Sequence, residues 1–193
     1  MKLVIIDYGA GNVQSLRFAL DRLGVESLLS SNADEIKKAD KVIFPGVGEA
    51  STAMKKLRST SLDQLIPQLN QPVLGICLGM QLMCSYTEEG NTTGLGVFEC
   101  EVKRFQNNVK VPQMGWNTLT RTQGPLFNQI KTNEYMYLVH SYYVPLIHET
   151  VAETNYGGAY STALQKDNFF GVQFHPEKSS KAGSQLLSNF ITL

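Results

Sequence analysis

Val73-Leu74-Gly75-Ile76-Cys77-Leu78-Gly79-Met80-Gln81 is the stretch on which the reading of the fold turns. An apolar run delivers a cysteine into a tight turn, and a helical pattern starts from about Leu78. Strands apolar on both faces belong to a parallel sheet sandwiched between helices. The turn itself has the pattern of a nucleophile elbow with cysteine where serine usually stands. Gly75 and Gly79 flank the cysteine because side chains there would collide with the neighbouring strand and helix. At a helix N-terminus the backbone dipole favours a thiolate, and the Leu78 amide is placed to meet a developing oxyanion.

Working outward, the first half of the chain repeats the same unit. Leu3 to Asp7, Val25 to Leu29, Lys41 to Phe44 and Pro72 to Ile76 read as strands. Helical spacing follows in Val13 to Leu23 (Leu16, Leu20, Leu23), from about Ala33, and through Ala53, Met54 and Leu57. That β-α alternation predicts an α/β protein with a mostly parallel central sheet covered on both faces. The second half differs. Gly96 to Phe105, Val111 to Thr120, Glu134 to Val139, Val151 to Asn155, Tyr160 to Gln165 and Phe169 to Gln173 are strand candidates with little helix between them, so antiparallel strands appended to the sheet are expected. A last amphipathic helix is expected over Lys178 to Ile191. The absence of a repeat, linker or low-complexity segment predicts one compact domain over residues 1–193.

Composition removes several function classes. The 193 residues are 42% hydrophobic and 18% charged with zero net charge, the balance of a soluble globular domain. Neither a nucleic-acid nor an anionic membrane partner has an electrostatic footprint here. No apolar run approaches the ~20 residues that span a bilayer, and Met1 to Tyr8 reads as a first strand rather than a leader. Three cysteines, Cys77, Cys84 and Cys100, fit a reducing cytosol better than a disulfide framework. No CxxC pair or histidine cluster points to a metal, and no cofactor is expected.

A lone cysteine is usually a small buried hydrophobe, and Cys84 and Cys100 read that way. Cys77 escapes that reading only if a base stands beside it, and the chain offers His140, His148 and His175. His148 lies in a polar stretch without partners. His175 closes an apolar strand in Gly171-Val172-Gln173-Phe174-His175-Pro176-Glu177, and a residue before proline is held extended. Residues two apart on an extended segment project to one side, so Glu177 is expected to hold one imidazole nitrogen and leave the other for the thiol.

These residues resemble a family. Gly75 to Gln81 together with His175-Pro176-Glu177 is similar to the class I (triad) glutamine amidotransferases, over essentially the whole chain. The resemblance implies a three-layer, flavodoxin-like αβα fold and hydrolysis of glutamine through a γ-glutamyl thioester. Cys77, His175 and Glu177 would be catalytic. Four further blocks resemble the glutaminase subunits that serve a cyclase of histidine biosynthesis: Ile6 to Asn12, Pro45 to Gly48, Pro112 to Asn117 and Val139 to Tyr143. By that resemblance Gly46 and Val47 complete an oxyanion hole with Leu78, after a peptide rotation that flanking glycines make feasible. Gly48, Gln81, Ser141 and Tyr142 would hold the substrate. Asn12, Trp116 and Tyr137 would lie at or near the partner interface, and His140 would be structural. No (β/α)₈ barrel of ~250 residues follows, so the ammonia acceptor is expected to be a barrel-shaped cyclase on another polypeptide, forming a heterodimer. Other class I glutaminases, of anthranilate, aminodeoxychorismate or pyridoxal phosphate synthesis, remain alternatives. So do a catalytically silent subunit on the same fold and a thiol peptidase of related architecture.

Overall fold

The computed structural model describes residues 1–9, 13–106 and 108–193. The elements run β1 (Leu3–Ile6), α1 (Val13–Arg22), β2 (Ser27–Ser30), α2 (Ala33–Lys37), β3 (Lys41–Phe44), α3 (Ala50–Ser59), α4 (Leu62–Leu65), β4 (Val73–Ile76) and α5 (Leu78–Met83). They continue with β5 (Cys84–Thr87), β6 (Thr92–Thr93), β7 (Phe98–Arg104), β8 (Gln113–Thr118), β9 (Arg121–Thr122), β10 (Tyr135–His140), β11 (Tyr142–Tyr143), β12 (Thr150–Asn155), β13 (Ala159–Lys166), β14 (Phe169–Val172) and α6 (Ser180–Thr192).

The main sheet has the order β2-β1-β3-β4-β14-β13-β12-β9. Its first five strands are parallel and the last three antiparallel; β14, read from the sequence among the appended antiparallel strands, instead pairs in parallel with β4 and completes the parallel half. Strand side chains alternate between two cores. Val4, Ile6, Val42, Phe44 and Val73 pack with α2, α3, α4 and α5 on one face. Leu3, Ile5, Ile43, Leu74 and Ile76 pack with α1 and α6 on the other. Both faces are therefore spent on burial, which is why these strands contain no polar alternation. The parallel half, β2-β1-β3-β4-β14, follows the order of the flavodoxin-like sheets, in which ligands bind beyond the carboxyl ends of the strands. Two smaller sheets, β10-β8 and β11-β7-β5-β6, lie outside the main one.

Several boundaries differ from the sequence reading, and three have a clear local or tertiary cause. The second strand starts at Ser27 rather than Val25, because Gly24 takes φ +73° and Val25 donates its amide to the Leu20 carbonyl, closing α1. The helix after Cys77 lasts six residues, and Cys84, at ψ 167°, turns back into a strand that pairs with β7. Nothing local in Leu82 to Thr87 marks that break; pairing with distant residues imposes it. The last helix begins at Ser180, after a 3₁₀ turn over Pro176–Lys178.

The Cys77 turn is pressed against β3 with no spare room. A Cβ on Gly79 would stand 2.0 Å from the Phe44 carbonyl oxygen, and one on Gly46 would stand 2.5 Å from the Gly79 nitrogen. Both obstacles are backbone and cannot rotate away. Gly79→Ala is therefore expected to cost about 1–3 kcal/mol or more, read as a fall in thermal midpoint; a midpoint equal to the wild type would contradict this packing.

Candidate active site

Strand order explains how distant residues meet. β3, β4 and β14 are neighbours, so the segments leaving their carboxyl ends emerge side by side: Pro45 to Gly48, Cys77, and Gln173 to Glu177. The Cys77 amide donates to the Val172 carbonyl at 2.8 Å, extending the β4–β14 pairing into the turn. Cys77 itself has φ 53° and ψ −111°, a strained conformation for a side chain-bearing residue that swings its sulfur out of the strand.

A cavity of about 330 Å³ opens at these strand ends, lined by Val47, Gly48, Cys77, Leu78, Gln81, Glu89, Pro112, Val139, His140, Ser141, Tyr142 and His175. Its size is at the small end of the roughly 300–1,000 Å³ of small-molecule sites. Eight of the residues expected at the site therefore share one cavity wall: Cys77, His175, Leu78, Val47, Gly48, Gln81, Ser141 and Tyr142. Gly46 stands behind it, against the first turn of α5.

His175 and Glu177 are joined as expected, Nδ1 to Oε1 at 2.8 Å, and both side chains are more than nine-tenths buried. The route differs from the extended segment expected of the sequence. His175 is extended at φ −96° and ψ 97°, but Pro176 starts a 3₁₀ turn that carries Glu177 back under the ring. Burial lowers the His175 pKa, but hydrogen bonds to Cys77 and Glu177 and the charges of both outweigh it, pushing it up to about 10. The arrangement thus favours an imidazolium held between a carboxylate and a sulfur.

His140 has the opposite environment. Burial drives its pKa down; the Tyr142 carbonyl, at 2.7 Å from Nδ1, opposes this and the charge of His175 adds to it, leaving it at about 4. Its Nε2 lies 3.2 Å from the Tyr160 hydroxyl, so the ring is a neutral bridge between β10, β11 and β13. His148 is exposed. Cys84 and Cys100 are buried free thiols whose contact with each other, together with burial, raises the Cys84 pKa.

Glu89 is a wall residue that the sequence reading missed. It follows β5, and its Oε2 accepts from the Ala50 amide at 3.0 Å at the start of α3, where Glu49 caps the Ser51 and Thr52 amides. Burial raises its pKa, the Ala50 amide opposes this, and the nearby Glu49 charge adds to it. The Glu88-Glu89-Gly90 stretch carries no local signal of a site, since only the unpredicted β5 brings it over the cavity.

Trp116 and Tyr137 face each other across the β8–β10 ribbon, rings 6.0 Å apart, with Met114, Trp116 and Tyr135 more than half exposed. The ribbon is bonded to the histidine segment: the His175 amide donates to the Tyr137 carbonyl at 2.9 Å, and the Tyr137 amide to Ser179 Oγ at 3.0 Å. Asn12 lies outside the described residues.

This combination of sheet, turn and cavity defines a class, and the chain belongs to the class-I glutamine amidotransferase family, whose model matches residues 4–193. It is 53% identical over 196 residues to "Imidazole glycerol phosphate synthase subunit HisH" of Bacteroides fragilis, covering 100% of both chains. Against the protein of the same name from Vibrio parahaemolyticus it is 45% identical over 200 residues, covering 100% of this chain and 98% of that one. Among solved structures, a putative GMP synthase protein from Thermoplasma acidophilum superposes with a TM-score of 0.78 at 20% identity, over 100% of this chain and 92% of that one, a likeness of fold.

The pKa shifts have opposite consequences for stability. His175 binds its proton more tightly folded than unfolded, so its contribution is full below about pH 6.5 and is lost as pH rises through about 10. His140 is protonated in the unfolded chain from about pH 6.5 downward and in the folded one only near 4, so acid favours unfolding over that window. Denaturant midpoints measured across it should fall with acidification less steeply in His140→Gln than in wild type. Parallel slopes would contradict the assignment of His140 as a buried neutral ring.

Proposed function

We propose that this chain is the glutaminase subunit of an imidazole glycerol phosphate synthase, releasing ammonia from glutamine for a separate cyclase subunit. The observation that carries the proposal is the convergence of Cys77, Leu78 and His175, backed by Glu177, on one cavity of about 330 Å³. The full-length relatives that bear this name support the choice among class I glutaminases.

The glutamine side-chain amide enters with its Cδ against Cys77. The sulfur attacks, and the carbonyl oxygen gathers negative charge. As the first residue of α5, Leu78 has an amide with no partner inside the helix, and this donor meets the oxyanion. The Gly46-Val47 peptide supplies the second donor after rotating; Gly48, at φ +94° with open space around it, absorbs the change. His175 passes its proton to the departing ammonia, leaving a γ-glutamyl thioester. It then takes a proton from water, which attacks the thioester and releases glutamate and the sulfur. Glu177 fixes the tautomer and orientation of the ring throughout. Gly48, Gln81, Ser141 and Tyr142 enclose the substrate, and Glu89 receives its ammonium, which relieves the burial and repulsion acting on that carboxylate.

The partner is a (β/α)₈ cyclase that uses the ammonia to make imidazole glycerol phosphate and the aminoimidazole carboxamide ribonucleotide in histidine biosynthesis. It docks on the apolar ribbon face of Met114, Trp116, Tyr135 and Tyr137, with Asn12 at the same interface. Because Tyr137 brackets the His175 to Ser179 turn, seating the partner bears directly on the base. The chain acts as one domain over residues 1–193, in the cytosol, without metal or cofactor.

The test is a glutaminase assay with and without a candidate cyclase and its ligand. Wild type alone should be slow and the complex faster, and Cys77→Ala should be inactive in both; activity equal to wild type in Cys77→Ala would sink the mechanism. Glu89→Ala is expected to raise KM by about tenfold or more, the scale of a lost charge-assisted contact, with a smaller change in kcat. Trp116→Ala should lower affinity for the cyclase while leaving activity of the isolated chain intact, as read by titration; unchanged affinity would move the interface elsewhere.

A further inference from the structure

Beside the cavity runs a chain of amide groups whose polarity admits one assignment. The Tyr142 carbonyl can only accept, so Gln81 Nε2 donates to it, at 2.9 Å. The second hydrogen of that amide goes to Gln173 Oε1, at 2.8 Å. With its oxygen so engaged, Gln173 presents its own Nε2 to Cys77 Sγ, at 3.7 Å. Gln173 is completely buried, its main-chain amide is bound to the Thr162 carbonyl at 2.8 Å, and it is not part of the cavity wall. It reaches the sulfur from inside the protein and does not meet the substrate.

We infer that Gln173 is a further catalytic residue of the proposed reaction: a fixed N–H donor to the Cys77 sulfur, with its polarity dictated by Tyr142 through Gln81. The inference rests on Cys77 being the nucleophile. A neutral thiol is a weak acceptor, whereas a sulfur anion takes a strong, charge-assisted hydrogen bond, so the donor favours the anion at each stage where it forms. His175 gives its proton away when ammonia departs and cannot serve the sulfur continuously. The Gln173 amide gives up no proton, so it still faces the sulfur when the thioester breaks and the thiolate leaves. Gln81 spends both amide hydrogens on this chain, and only its Oε1 remains for a substrate.

The test follows alkylation of Cys77 by iodoacetamide, mapped by peptide mass, from about pH 6 to about pH 9 around the ordinary thiol range. The proteins compared are wild type, Gln173→Met, Gln173→Glu and a Cys77→Ala control, each checked for an intact thermal transition. Gln173→Met should react about tenfold slower at neutral pH, the scale of one hydrogen bond to a charged group, and recover at alkaline pH. In the glutaminase assay with the cyclase its kcat should fall by a similar factor while KM stays within about twofold, because the residue does not touch substrate. Gln173→Glu keeps the shape and an acceptor for Gln81 but turns a carboxyl toward the sulfur, so its rate relative to wild type should drop as that carboxyl ionises. A purely architectural role predicts that this isosteric variant behaves as wild type. Wild-type alkylation rates in both variants, or a loss confined to KM, would overturn the inference. Slowed alkylation in the variants together with a wild type that hydrolyses no glutamine with its cyclase would instead remove the glutaminase reading and leave the Gln173 contact standing.

Discussion

The tight backbone approach beside Cys77 is the constraint on which the rest depends. The first turn of α5 lies so near the end of β3 that the Phe44 carbonyl and the Gly79 Cα exclude a single methyl between them. That contact places the Leu78 amide beside the Pro45 to Gly48 segment. It also forces Cys77 into a conformation that no relaxed strand or helix residue adopts. The strain is held by lateral support: the Cys77 amide is bonded to β14, and Tyr8 donates to the Pro45 carbonyl at 2.9 Å, pinning the loop from the other side. A conformation costing of the order of 1–3 kcal/mol persists only where its surroundings over-determine it.

From that point the electrostatics follow from burial. Cys77, His175 and Glu177 are taken out of water, so each answers chiefly to the others. The Gln173 amide and the His175 imidazole both meet the sulfur, whose acceptor is the Val139 carbonyl at 3.9 Å. His140, also on the cavity wall, has a carbonyl and a hydroxyl for company and stays neutral. Burial presses both rings toward the neutral form; the sulfur and the carboxylate reverse it at His175, and at His140 the Tyr142 carbonyl does not outweigh it.

The β8–β10 ribbon ties this interior to the surface. It presents an aromatic face to solvent while its backbone grips the His175 to Ser179 turn and its Val139 lines the cavity. An event at Trp116 and Tyr137 therefore has a path of direct hydrogen bonds to the His175 to Ser179 turn, through rigid paired strands rather than a flexible loop.

The local sequence determined a good deal. The apolar runs and their helical interludes placed four of the five parallel strands, and the glycines around Cys77 marked the turn, because both signals are short-range sterics and periodicity; the parallel pairing of β14 with β4 was not legible locally. His-Pro-Glu marked the pairing of His175 with Glu177, although the geometry joining them is a 3₁₀ turn and not an extended strand. What the tertiary structure alone decided depends on residues far apart in the chain. The break of the Leu78 helix into β5 is imposed by pairing with β7, and with it comes Glu89 over the cavity. The polarity of Gln173 is set by the distant Tyr142 carbonyl, acting through Gln81. The opposite charge states of His140 and His175 come from burial and partners that no local pattern encodes. Sequence marks where a reactive group stands; only packing settles which proton it keeps.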